Sequence, residues 1–130
     1  MKELYELIKS LIPTGVFNSI TYQVYKEDKS KSCGIFLYSG KNDLKTLCGT
    51  SAEICKVQLM CTVGTEDENE IFNVQDCICE FVDIIEKSDG DSNILILSAE
   101  HTGMKCEPIG FNDKGLLVNK CTIELSYKRL

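Results

Sequence analysis

The chain has 130 residues, 43% of them hydrophobic and 26% charged, with a formal net charge of -6. That length fits one domain with a real core, and the composition excludes a disordered tail. The acidic balance, with no basic stripe carrying interleaved aromatics, argues against non-specific binding to nucleic acid or to an anionic membrane.

The start, Met1–Ile12, is too charged for a signal peptide or a membrane span, so the expectation is a soluble protein made in the cytosol. Lys2–Ile12 reads as a helix, because Leu4, Leu7, Ile8 and Leu11 recur at helical spacing, and Pro13 and Gly15 stop it. Ile20–Tyr25 alternates β-branched and aromatic residues and reads as a strand. Lys26–Ser32 is a polar loop. Cys33–Tyr38 is a second strand, apolar on both faces and therefore expected at the centre of a sheet. Ser39–Ser51 is a loop longer than a tight hairpin needs, and long loops often touch partners.

Glu53–Val63 alternates clearly: Cys55, Val57, Leu59, Cys61 and Val63 share one face, and Lys56, Gln58, Met60 and Thr62 the other. After a turn in which Thr65 is placed to cap, Glu70–Lys87 is a second helix with an apolar stripe of Ile71, Val74, Ile78, Phe81, Val82 and Ile85. Asn93–Thr102 reads as a strand, Gly103–Gly110 as an irregular strand near Pro108, and Phe111–Gly115 as a turn. Leu116–Tyr127 is the last strand, with Asn119 the polar exception on its apolar face. The fold class that follows is α+β: one domain over residues 1–130, with a mainly antiparallel sheet, two helices packed on one face, and the order α-β-β-β-α-β-β.

The pattern carries no catalytic or cofactor-binding signature. The single histidine, His101, has no acid and nucleophile organised around it and reads as structural. There is no phosphate-binding glycine loop, and the acidic run Glu66–Glu70 lacks the spacing of a calcium loop. Eight cysteines sit mostly in apolar runs, which suits buried reduced thiols. Cys77 and Cys79 form a C-x-C on a helix, where they point about 200° apart, and Cys55 and Cys61 lie roughly 20 Å apart along one strand. No metal site is expected from such spacings.

The C-terminal half, taken as one unit, runs from strand Glu53–Val63 through helix Glu70–Lys87 and a strand. It then passes along Cys106–Gly115 (CEPIGFNDKG) into a strand ending at Leu125–Tyr127. This order resembles the small tail terminator and tail completion proteins of long-tailed phages, including those labelled minor capsid proteins in phages of Gram-positive hosts. In that group a pair like Ile109–Gly110 and a polar turn like Asn112–Gly115 precede a last alternating strand that ends near an aromatic. The helix ahead of the first strand fits as well.

The resemblance implies a homo-oligomeric ring, commonly a hexamer, that caps a finished tail tube and offers a face to the neck. Its partners would be the tail tube protein and a neck or connector protein. DNA would pass through the lumen without specific binding, and the protein would end up in the virion tail after assembly in the host cytoplasm. A ring needs two patches that close on rotation. The candidates are the Ser39–Ser51 loop, with Lys41, Asn42, Lys45 and Thr46 as contact residues, and the exposed strand faces. Two other readings remain open: another head–tail connector or adaptor subunit, and a cysteine-based metal-binding or redox module.

Overall fold

The computed structural model describes residues 1–39, 44–45 and 51–130, with the backbone alone at 44, 45 and 51. Helix α1 spans Lys2–Leu11. Its stripe of Leu4, Leu7 and Ile8 is buried, and Ile12 turns to extended backbone (φ -78°, ψ 125°) because the residue before a proline is driven out of the helical region. Strands β1 (Ser19–Tyr22), β2 (Ser32–Ser39), β3 (Leu44–Lys45) and β4 (Ser51–Val63) follow. Helix α2 covers Glu68–Lys87, and β5 (Ile94–His101), β6 (Glu107–Phe111) and β7 (Leu117–Arg129) complete the chain. The α+β class and the order of elements are those expected; β6 is the irregular strand expected near Pro108, and short β3 is added within the segment read as a loop.

The sheet order is β1-β2-β4-β7-β5, with β3 on β4 and β6 on β7. All pairings are antiparallel except β1 with β2, which is parallel. Strand β4 is central and pairs with β2 and β7, and β2 lies one strand in from the edge. Both helices pack on one face of the sheet. Leu4, Ile8, Ile78 and Phe81 from the helices meet Ile35, Leu59, Ile123 and Leu125 from the strands in one core. Burying each such side chain contributes about 1.5–3 kcal/mol before the entropy of ordering it is set against the gain.

Three local details differ from the sequence reading. The first strand stops at Tyr22 rather than Tyr25, because Gln23 takes a left-handed backbone (φ 56°). Helix α2 begins two residues early, and its cap is Asp67, not Thr65: the Asp67 carboxylate accepts the Asn69 N–H at 2.9 Å. The buried stripe of α2 also includes Cys77, while Ile71 is only half-buried.

Candidate functional site: the uncovered sheet face

Of the loop residues proposed as contacts, Lys41, Asn42 and Thr46 lie outside the described residues, as does Cys48. Lys45 is described through its backbone, which pairs with Ser51 in β3–β4.

The face of the sheet opposite the helices carries the other half of every alternating strand. Its rows follow from the register. Gly34 in β2 stands beside Met60, Lys120 and then Glu107. Phe36 stands beside Gln58 and Thr122, and Tyr38 beside Lys56, Glu124 and Glu100. Ile54 lies beside Ser126 and Ser98. Phe36 and Tyr38 stack with ring centroids 6.5 Å apart and planes 10° apart, and Tyr38 is 48% exposed. Lys120 reaches Glu107 at 3.6 Å. Two shallow hollows open beside Ile54. One, of about 190 Å³, is lined by Ser98, Glu100 and Ser126, and the other, of about 380 Å³, by Lys56, Thr102 and Glu124.

One end of this face is closed by the segment between β1 and β2. Its anchor is Gln23, whose side-chain amide accepts the Leu37 N–H at 2.9 Å and donates to the Leu37 carbonyl at 3.1 Å. The amide thus substitutes for a strand residue where β1 has ended. The chain then crosses over Gly34, where a Cβ would stand 2.4 Å from the Val24 carbonyl oxygen. Only glycine leaves room for that crossing. Farther on, Thr62 Oγ1 donates to the Lys29 carbonyl, Ser32 Oγ donates to the Lys26 carbonyl at 3.1 Å, and the two hydroxyl oxygens lie 2.6 Å apart. The Gly64 N–H donates to Ser30 Oγ at 2.8 Å, and Asn112 Nδ2 donates to the Glu27 carbonyl at 2.7 Å.

Part of the sheet's edge is also occupied. The outer edge of β5 is bridged by the turn before it: the Ile96 N–H donates to the Asp89 carbonyl at 2.9 Å, and the Asp91 N–H to the Ile94 carbonyl at 2.8 Å. A bulge between Ile96 and Ser98 then breaks the strand's regularity. Farther along, one Glu86 carboxylate oxygen accepts the His101 backbone N–H at 3.2 Å and lies 3.0 Å from its Nδ1. His101 therefore serves to fasten β5 to α2. On the other side, β1 and the Gln23 amide cover β2 as far as Leu37. Such devices discourage strand-to-strand addition.

Under the helices the cysteines converge. Cys33 lies directly across from Cys61, which lies across from Asn119, and Asn119 is two residues from Cys121 on the same face. Cys106 Sγ is 3.7 Å from Asn119 Oδ1, which also accepts from Gln75 Nε2 at 3.1 Å. Burial pushes the thiols of Cys55 and Cys77 up to about 11, and those of Cys106 and Cys121 up to about 12. Cys61 is raised well above the usual thiol range by burial and by its neighbour Cys33. These thiols are held in the protonated form, the opposite of what a nucleophilic or redox-active cysteine requires. Among the described residues, no group of three or more His, Cys, Asp and Glu side chains is arranged to hold a metal ion. Nor is any helix among them long and apolar enough to cross a membrane.

The sequence pattern signals the uncovered face only in part. Alternation in β4 marks Lys56, Gln58 and Met60 as its second face, but Phe36 and Tyr38 sit in a run that is apolar throughout. The alignment of Lys56 with Glu124 and Glu100 depends on pairing between distant strands. No protein-family model matches this chain, and no curated protein matches it significantly.

Proposed function

We propose that this chain is a structural assembly subunit that works by protein–protein contact through the uncovered face of its sheet. Within that class we assign it the role its sequence resembles: a ring-forming tail terminator that caps a tail tube and joins it to the neck. The observation that carries the reading is the bare central stretch of β2, β4 and β7, with its stacked Phe36 and Tyr38. A layered domain ordinarily buries both apolar and aromatic sheet residues, so a bare mixed face with aromatics marks a place for a protein neighbour. Neutral buried thiols and a histidine committed to holding β5 support a structural role over a chemical one. In this reading the subunits form a homo-oligomeric ring, commonly a hexamer, with DNA passing through the lumen without specific binding.

Negative-stain imaging of the purified protein, alone and mixed with assembled tail tubes, tests the role. Rings, or tubes arrested at a fixed length with a capped end, are expected. A protein that neither binds tube ends nor limits their growth overturns the terminator assignment.

A further inference from the structure

We infer that the uncovered face is self-complementary and takes a second copy of this chain about a two-fold axis that runs along the strands, midway between β4 and β7. Lys56 on β4 stands beside Glu124 on β7, and Glu124 stands directly opposite Glu100 on β5. Like charges directly opposed on neighbouring strands are destabilising unless a cation comes between them. Among the described residues, Lys56, Glu100 and Glu124 make no ion pair, and all three are exposed. The positive charge is on one side of the sheet's midline and the two negative charges are on the other.

A rotation of 180° about an axis along the strands, between β4 and β7, keeps each row at its own height and exchanges left for right. It lays β4 of one copy over β7 of the other. Lys56 of each copy then faces Glu124 of its partner, and Tyr38 faces the side carrying Glu100. Gln58 faces Thr122 at the centre. Stacked sheets lie about 10 Å apart, a gap that a lysine and a glutamate reaching toward each other span. An axis across the strands would not bring these charges together, so the charge pattern selects the one dyad.

The bare stretch from Met60 to Ile54 is about 24 Å long at strand rise, and four strands give it a width of about 19 Å. That footprint, roughly 460 Å² per copy, falls below the range of stable specific interfaces and into that of weak, transient contacts. The dimer is therefore weak and salt-sensitive, dissociating in the micromolar range or above. This inference rests on reading the bare face as an association surface and is independent of any tail tube; a two-fold contact closes at two copies, so the contacts of a ring would lie elsewhere on the subunit.

The test is sedimentation velocity on the full chain over a concentration series, with circular dichroism to verify folding. The wild type is expected to dimerise. Lys56→Glu and Glu124→Lys, each alone, place like charges over one another twice per dimer and are expected to weaken dimerisation about tenfold or more. Mixing the two variants places opposite charges at both contacts and is expected to restore the dimer. A wild type that stays monomeric at high concentration overturns the inference, as does a dimer indifferent to both substitutions or a mixture that fails to recover. A dimer that follows the charge pattern without capping tubes leaves this inference standing and sinks the terminator role. A protein that caps tubes yet ignores both substitutions does the reverse.

Discussion

Replacing Gly34 with alanine tests the crossing of the β1–β2 segment over the sheet. Gly34 has no left-handed backbone, so the substitution removes only unfolded-state freedom, which by itself stabilises by about 0.4–1 kcal/mol. Against that, the new Cβ would stand 2.4 Å from the Val24 carbonyl oxygen and 3.1 Å from Phe36 Cε2. The first contact is with backbone and cannot be relieved by rotating a side chain. Moving Val24 also disturbs the bond that Thr21 Oγ1 donates to that carbonyl at 2.8 Å. Overpacking of this kind costs about 1–3 kcal/mol and a lost hydrogen bond about 1 kcal/mol. The clash outweighs the entropy gain, and the expected net loss is about 1–3 kcal/mol. With a urea m-value of about 2 kcal/mol/M, the midpoint should fall by roughly 0.5–1.5 M at constant slope. The sign is decisive. A midpoint that is unchanged or raised means that the segment does not cross over Gly34, and the closure of that end of the face falls with it.

Gln23→Glu should destabilise by about 1–2 kcal/mol at neutral pH, since a carboxylate cannot donate to the Leu37 carbonyl. The loss should shrink below about pH 4 as the carboxyl regains a proton, and urea midpoints at both pH values measure it. Asp67→Ala should cost about 1 kcal/mol through loss of the α2 cap, whereas Thr65→Ala should stay within about 0.5 kcal/mol; equal effects would return the cap to Thr65. The buried thiols predict an alkaline limit. Unfolded thiols lose their protons near 9.0, and Cys55, Cys77 and Cys121 hold theirs to about 11 to 12. Between those values the unfolded chain binds fewer protons, so stability is flat up to about pH 8.5 and falls as pH rises beyond it. Denaturation midpoints from pH 7 to 10.5 measure that trend. At pH 8 a thiol reagent should label Cys33, Cys55, Cys61, Cys77 and Cys121 only on unfolding, and rapid native labelling of these five would revive the redox reading.

Periodicity exposes most of the fold because each element buries one face. The alternation of Cys55 to Val63 and the stripe from Val74 to Ile85 are both buried as drawn from spacing. What escaped are features decided by single atoms or by distant partners. Nothing in the side chain of Gln23 announces a φ of 56°; that conformation is held by two bonds to Leu37, fourteen residues away. Thr65 and Asp67 are both sound caps locally, and only the path of the turn chooses between them. Cys77 is too small and too weakly apolar to join a stripe by inspection, yet it is 3% exposed. For Lys41, Asn42, Lys45 and Thr46 the sequence offers only loop length and polarity, properties that contact loops and solvated loops share. The uncovered face is legible as alternation, but its charge geometry exists only after β2, β4, β7 and β5 are placed side by side.

The edges and the bare face, taken together, constrain how this chain can meet a neighbour. A strand edge offers unpaired N–H and C=O groups, which pair with almost any extended segment and so recruit partners with little discrimination. Here the Asp89–Asp91 turn and the Glu86 carboxylate take up such groups on β5, the bulge after Ile96 breaks its regularity, and the Gln23 amide takes up those of Leu37 on β2 where β1 has ended. A face works differently: recognition depends on the register of side chains, on Tyr38 and Phe36 finding a matching surface, and on Lys56 and Glu124 finding opposite charges. A β5 edge blocked in this way, beside a bare, charged face, favours association of defined geometry over open-ended strand addition on that side. A subunit that must join an assembly at a fixed place and stop there needs such a face, where recognition is spread over several rows of side chains rather than resting on any one residue.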